Sequence, residues 1–404
     1  MSLNAPTVPA VVAPLIPSRP AGARDPRPGL SGLAPDALAE WVVGRGEPAY
    51  RARQIGDALW AGGAVTTDRM RTLPVALRAA LDEAFRIDTL GATEVARADG
   101  GLTEKALHHL DDGRAVESVL MRYPARGGRR ERATVCISSQ AGCAVACPFC
   151  ATGELGFLRD LGTAEIVDQV RFWQRQLGAE GRRLTNVVFM GMGEPLLNPG
   201  PVLAAAEALT DHARFGLGAR HLTLSTSGVV PAMRRLVALA PAWTLAVSLH
   251  AARPALRAVL VPLEHRYPLA EVVAAADAYA AATGRRVSYE FVMIDGINDT
   301  EADARAAAAL LRGRLAHANL IPMNPVAHTP WRPSPPARIA AFAAVVRAAG
   351  IAVTVRHNRG VDIGAACGQL AAEQAGAPSP AAVARRRAVL ERDSAAALAV
   401  GAAG

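Results

Sequence analysis

Long apolar segments are absent from this sequence of 404 residues. No run of about 18 apolar residues is free of charged residues, glycine and proline, and a membrane-spanning helix needs a run of roughly that length. The first residues also lack the basic start of a secretory signal peptide, and prolines interrupt their apolar part. These absences predict a disordered leader over residues 1–30 and a cytoplasmic protein without a membrane partner.

Cysteine is also scarce, with five residues in the whole chain. An odd number in a chain without a secretion signal favours metal binding or catalysis over a disulfide framework. Three of the five, Cys143, Cys147 and Cys150, lie in the stretch CAVACPFCATG, whereas Cys136 and Cys367 stand apart. A structural zinc site usually combines two pairs of closely spaced ligands, and no second pair accompanies the group of three.

Acidic residues are fewer than basic ones. The chain has 36 Asp and Glu against 44 Lys and Arg, a net charge of +8, and most of the basic residues are arginine. Such a modest excess is compatible with a polyanionic partner and is also common in cytosolic proteins. Charge alone therefore does not identify a partner.

The regions on either side of the central part of the chain show simpler patterns. Three amphipathic stretches predict a small helical domain over residues 31–93. Residues 94–133 alternate between apolar and polar and contain the turn pair Asp112-Gly113, which predicts a β-hairpin. The alanine-rich tail, 373–404, is expected to be a loose helix or disordered.

Between residues 134 and 372, short apolar runs alternate with helical stretches. Repeated strand–helix units predict an α/β fold with a parallel sheet, closed or partly closed into a barrel. The expected strands are 134–138, 185–190, 221–227, 243–250, 286–294, 318–323 and 352–356.

A polar group follows almost every one of these strands. In a βα barrel the active site lies at the carboxyl ends of the strands. Glycine, serine and asparagine also form ordinary turns, so one such group is weak evidence, whereas five in succession favour a site. The groups are 191–195, 225–228, 248–250, 295–296 and 324–325.

The three clustered cysteines suit two kinds of metal site. One is a zinc ion with a fourth ligand from elsewhere in the chain. The other is a cluster of four irons, three held by thiolates and one left open to chelate a small molecule. The strand–helix pattern around them favours the cluster.

The CxxxCxxC spacing, with Phe149 before Cys150, resembles the radical S-adenosylmethionine enzymes. Seven strings in order along the chain, the first of which contains this triplet, resemble the RlmN subfamily of radical methyltransferases. They are VCISSQAGCAVACPFCATGELGF, GMGEPLLNP, LSTSGVVP, LAVSLHA, IDGIND, LIPMNP and AACGQLA. The resemblance covers about residues 35 to 370. It implies a partial (β/α)6 barrel with a helical N-terminal domain, and a 4Fe-4S cluster on Cys143, Cys147 and Cys150 that binds S-adenosylmethionine.

The resemblance also implies a reaction. RlmN enzymes methylate C2 of an adenosine in the peptidyl-transferase region of 23S rRNA and, in some bacteria, an adenosine beside the tRNA anticodon. Cys367 would carry the methyl group as a radical carbon, and Cys136 would release the product through a transient disulfide. Glu117 matches the proton acceptor, with Cys136 as the alternative base.

Cofactor and partner positions follow from the same resemblance. The chain is expected to be a monomer that acts on 23S rRNA and tRNA and receives electrons from a donor such as flavodoxin. The residues matching S-adenosylmethionine contacts are Gly193, Glu194, Ser225, Ser248, Leu249, His250 and Asn324.

Contacts to RNA are less well defined. The basic stretch 126–132 lengthens a connection that is shorter in typical relatives, and it either reaches phosphate or forms a solvated loop. Arg51 and Arg53 are candidate phosphate contacts. Gly364 stands where typical relatives carry an acidic residue, three positions before Cys367.

Three alternatives stay open. A Cfr-like enzyme would use the same machinery to methylate adenine C8. A radical enzyme could act on a substrate other than RNA, although the pairing of Cys136 with Cys367 argues against it. A zinc-binding RNA protein would have no catalytic activity.

Overall fold

The computed structural model describes residues 24–128, 130–370 and 380–402. Most of the expected leader, residues 1–23, lies outside this range, as does position 129 of the basic stretch. Within the described residues, no helix combines the length and the apolar character needed to cross a membrane.

A ten-stranded sheet forms the centre of the molecule, and a separate two-stranded sheet pairs β5 with β6. The central order is β1-β2-β3-β4-β7-β8-β9-β10-β11-β12, with parallel pairing from β4 to β12. The strands are β1 Thr93–Ala98, β2 Thr103–His109, β3 Ala115–Tyr123, β4 Arg132–Cys136, β5 Gln140–Gly142, β6 Phe157–Asp160, β7 Asn186–Phe189, β8 Leu222–Thr226, β9 Thr244–Ser248, β10 Val287–Met293, β11 Ala316–Pro322 and β12 Ala352–Val355. All seven strands predicted beyond residue 134 are present, so the α/β prediction is confirmed.

Helices alternate with the parallel strands. Prolines in the first turn start α6, α8 and α11, where a missing N–H costs nothing. The helices are α1 Pro35–Val43, α2 Tyr50–Trp60, α3 Val75–Ala84, α4 Ala151–Leu155, α5 Thr163–Ala179, α6 Pro199–Thr210, α7 Val230–Leu239, α8 Pro254–Leu260, α9 Leu269–Thr283, α10 Glu301–Leu311, α11 Pro336–Ala348 and α12 Pro380–Ala402.

The three N-terminal helices have an apolar core of their own. Val42 of α1, Ile55 of α2 and Leu81 of α3 are completely buried in it. A second and larger core fills the sheet and its covering helices, with Trp173 of α5 fully buried there. The small helical unit and the barrel therefore each bury apolar surface separately.

The region predicted as a hairpin is a three-stranded antiparallel extension of the barrel sheet. Strands β2 and β3 pair around the Asp112-Gly113 turn, as expected. Strand β1 adds to β2, and β3 pairs with β4, the first parallel strand. Strand β3 is therefore hydrogen-bonded along both edges, to β2 and to β4, and has no unpaired edge exposed to other chains. The sheet order ends at β12, so the barrel is partial, as predicted.

The alanine-rich tail is more ordered than expected where it is described. Residues 380–402 form α12, which packs on α8. Leu390 and Ala397 are buried there together with Leu256 of α8 and Val145 of the cysteine loop. Two apolar residues seven positions apart lie on one face of a helix, which explains the docking.

Candidate active site

One row of side chains runs across four neighbouring strands and ends near the loop that carries the cysteines. Lys105 on β2 is the register partner of Val119 on β3, Val119 of Cys136 on β4, and Cys136 of Val188 on β7. Register partners project from the same face of a sheet. Glu117 precedes Val119 by two residues and therefore lies on this face as well.

The segment after β12 lies against this face. Cys136 and Cys367 line one cavity together with Met190, Arg356 and Leu370. Cys136 is buried, whereas Cys367 is exposed. Burial raises the pKa of the Cys136 thiol well above its ordinary value, the Cys367 thiol adds to this effect, and the Arg356 guanidinium opposes it. The five cysteines are all described, and each is a free thiol.

Hydrogen bonds hold the Cys367 segment in place. The Asn324 side-chain amide, just after β11, donates to the Cys367 carbonyl at 2.9 Å. The Ala151 N–H, directly after the third clustered cysteine, donates to the Gly368 carbonyl at 2.7 Å. Further upstream, the Gly360 N–H donates to a carboxylate oxygen of Asp99 at 3.0 Å. The segment is thus fixed between the antiparallel strands and the cysteine loop.

Cys143, Cys147 and Cys150 follow β5, and their side chains are partly buried. Burial raises the pKa of the Cys143 thiol to about 12 and also raises the pKa of the Cys147 thiol well above its ordinary value. The charge of Cys150 also raises the pKa of each of these two thiols, so the three cysteines lie near one another. In the described part of the chain, no group of three His, Cys, Asp or Glu side chains is placed to hold a metal ion.

These thiols fit an iron–sulfur cluster better than a zinc ion. A zinc ion needs four ligands at about 2.0–2.3 Å from one centre. A cluster spreads its thiolates over different irons, so three thiols on one loop are sufficient without a fourth ligand and need not meet at one centre. Binding iron replaces the thiol protons, which removes the penalty that burial places on the charged sulfurs.

The loop after β7 carries Gly193 and Glu194 and lies close to β5. Gly193 has a φ of 98°, and a Cβ there would approach the Gln140 side chain to 2.6 Å. Only glycine allows this conformation together with this close approach. The buried Glu194 carboxylate accepts N–H bonds from Ser227 at 2.7 Å and Leu196 at 3.0 Å, while burial raises its pKa.

The other residues matched to cofactor contacts lie at the carboxyl ends of β8, β9 and β11. Ser225 lies near the end of β8, Ser248 ends β9, and Leu249 and His250 follow directly. The His250 Nδ1 accepts the Val292 N–H at 3.0 Å, and burial lowers the pKa of the imidazole to about 3, so the ring is neutral. Its ring packs edge-on against the Phe149 ring of the cysteine loop, with 4.7 Å between the two ring centroids.

One polar atom at this site is buried without a hydrogen-bond partner. It is Oδ1 of Asn324, whose amide nitrogen binds the Cys367 carbonyl. A buried acceptor of this kind fits a bound ligand that donates a hydrogen bond. Together with the strand-end residues, it makes this edge of the sheet suitable for an S-adenosylmethionine molecule beside the cysteines.

Glu117 has a partner that the sequence patterns did not single out. Its carboxylate Oε1 lies 2.8 Å from the Lys105 ammonium nitrogen, with the Glu117 side chain 1% exposed and that of Lys105 12%. Side chains alternate between the two faces along β2 and along β3. Only the register between the two strands puts Lys105 and Glu117 on the same face and brings them into contact.

The candidate RNA contacts differ in how accessible they are. The Arg51 guanidinium donates to Gln54 at 2.7 Å and to the Thr72 carbonyl at 3.2 Å, and its side chain is 19% exposed. The Arg53 side chain is 87% exposed. In the basic stretch, the Arg132 guanidinium stacks on the Tyr123 ring at 4.2 Å. Arg51 and Arg132 therefore have structural contacts, and Arg53 projects into solvent.

Comparisons with known proteins agree with this architecture. Residues 137–308 match the family model of the radical SAM superfamily. A probable dual-specificity RNA methyltransferase RlmN from Frankia alni is 51% identical over 356 residues, covering 86% of this chain and 84% of that protein. A protein with the same name from Thermobifida fusca is 47% identical, covering 86% of this chain and 95% of its own.

A solved structure has the same fold. The crystal structure of a radical SAM methyltransferase from Sphaerobacter thermophilus superposes with a TM-score of 0.82 at 45% identity, covering 86% of this chain and 100% of that one. The resemblance found in the sequence motifs is thereby confirmed. The chain belongs to the RlmN family of radical SAM RNA methyltransferases, which use a 4Fe-4S cluster and S-adenosylmethionine.

Proposed function

We propose that this protein methylates C2 of an adenosine in 23S rRNA and of an adenosine beside the tRNA anticodon. The observation that carries the proposal is the position of Cys367. It shares a cavity with Cys136 on β4, and its segment is hydrogen-bonded to the residue after Cys150. A carbon attached to the Cys367 sulfur would lie between a second thiol and the cluster-binding loop.

Adenine C2 is an electron-poor carbon and does not attack a sulfonium methyl group directly, so the new carbon must arrive as a radical. When bound at Cys143, Cys147 and Cys150, the cluster and S-adenosylmethionine supply the methyl group and the radical chemistry. Cys367 carries the carbon as a thioether and presents it to the RNA base. Because Cys367 is exposed, a base inserted from solvent can reach it.

Release of the product needs a base and a second thiol. After the carbon joins C2, the ring becomes aromatic again when it loses one electron, for which the cluster would supply the acceptor, and passes the C2 proton to Glu117. The Cys136 thiolate then attacks the Cys367 sulfur and breaks the bond between sulfur and carbon. The electron pair stays on the carbon, which takes a proton and becomes the methyl group. The new disulfide is afterwards reduced by an external thiol.

The decisive experiment is nucleoside analysis of rRNA and tRNA from a strain that lacks the gene. We expect 2-methyladenosine to disappear and to return when the wild-type gene is restored. A gene encoding Cys367→Ala serves as the control and should not restore it. Loss of 8-methyladenosine instead would assign the Cfr-like activity, and retention of both nucleosides would refute the proposal.

A further inference from the structure

Lys105 is the only lysine in the sequence, the other basic residues all being arginine. Its side chain projects from the same face of the sheet as Cys136. Lys105 is the register partner of Val119, and Val119 is the register partner of Cys136. There the ammonium nitrogen lies 2.8 Å from Glu117 Oε1. The preceding residue, Glu104, projects from the opposite face.

The pair is shielded from water. Glu117 is 1% exposed and Lys105 12%. A buried carboxylate without a cation takes up a proton, because desolvation penalises its charged form. A carboxylate that is to accept a proton from a substrate must first be ionised, so a buried base requires a partner such as Lys105.

The Cys367 segment passes over Lys105 at Gly364. A Cβ placed on Gly364 would lie 3.5 Å from the Lys105 nitrogen. Gly364 has a φ of 61° in the left-handed region, and it contributes no side chain at this point. The backbone of the Cys367 segment therefore lies close to the ammonium group that faces Glu117.

We propose that Lys105 is a positioning residue for proton removal, which holds Glu117 ionised and oriented. This inference rests on the proposed function. The proton passes from adenine C2 to the Glu117 carboxylate, while Lys105 stays an ammonium ion throughout and exchanges no proton.

The test uses Lys105→Met, which removes the positive charge from a side chain of similar length, and Lys105→Arg, which keeps the charge. Each holoenzyme is given RNA that carries deuterium at C2 of the target adenosine. With Lys105→Met we expect about a 100-fold fall in product and a covalent protein–RNA adduct on denaturing gels that retains its deuterium. Lys105→Arg should restore most of the product. Normal turnover by Lys105→Met, or loss of product without an adduct, would overturn the inference.

The two proposals fail differently. If the wild-type enzyme forms no 2-methyladenosine, the proposed function is wrong. If it does, and Lys105→Met behaves like the wild type, the function stands and Lys105 has no part in proton removal.

Discussion

Cys136 is a buried thiol on a sheet, an unusual place for a nucleophile. Burial raises its pKa, and the reactive form of a thiol is the thiolate. Arg356 is the compensating feature, because this half-buried side chain lines the same cavity as Cys136 and Cys367. Its positive charge favours the thiolate that the proposed release step requires.

Replacing Cys136 by alanine should stop the reaction after the carbon has joined C2. We expect an adduct between protein and RNA to accumulate on denaturing gels. In contrast to the Lys105→Met adduct, it should have lost its C2 deuterium, because Glu117 is still present and paired. The double variant Cys136→Ala, Cys367→Ala is the control and should form no adduct. Retention of deuterium in the Cys136→Ala adduct would identify Cys136 as the base.

Helix α12 packs against the cysteine loop. Its Leu390 packs with Val145 and Leu256, and its Arg386 lies 3.5 Å from the Glu154 carboxylate of α4. Both the loop and the short helix that follows the cysteines are therefore in contact with the C-terminal helix. Such contacts limit the access of water and oxidants to the thiols.

Leu390→Ala should loosen this helix. Leu390 is 4% exposed, and removing a buried leucine side chain costs about 2–5 kcal/mol. We expect faster hydrogen exchange in α8 and α12 and faster loss of the cluster's visible absorbance in air. Arg392→Ala on the same helix, with a side chain 75% exposed, is the control and should leave both rates unchanged. Unchanged exchange in Leu390→Ala would show that the helix does not depend on this contact.

The whole molecule carries a net charge of +8, which favours association with RNA. Only side chains that remain accessible contribute to such binding. Arg53 on α2 is such a side chain, whereas Arg51, two residues earlier, is held by Gln54 and Thr72.

Arg53→Gln should weaken RNA binding and reduce the slope of log affinity against log salt by about one, because one phosphate contact is lost. The measurement is a salt titration of binding to an RNA fragment that contains the target adenosine. Arg305→Gln on α10, where the side chain is 62% exposed, is a control that removes the same charge elsewhere. A slope reduced equally in both variants would show a general charge effect and no contact at Arg53.

Much of this architecture could be predicted from local patterns. The seven parallel strands follow from short apolar runs between helical stretches, since hydrophobic periodicity reflects burial on a sheet. The spacing of the cysteine triplet on one loop predicts a metal site, and the strand–helix pattern around it favours a cluster over zinc. The tail helix was harder to predict, since the face that holds Leu390 and Ala397 acquires its partner only when α8 is in place.

The sequence by itself determined the strand–helix repeat and the positions of the five cysteines on which the proposed reaction is based. Tertiary structure alone decided which side chains meet: Cys136 with Cys367, Glu117 with Lys105, and Gly364 with the same lysine. These contacts join segments far apart in the chain, and they depend on strand register and on the docking of one loop. A shift of register by one residue would turn Lys105 to the other face, and no local pattern specifies that register.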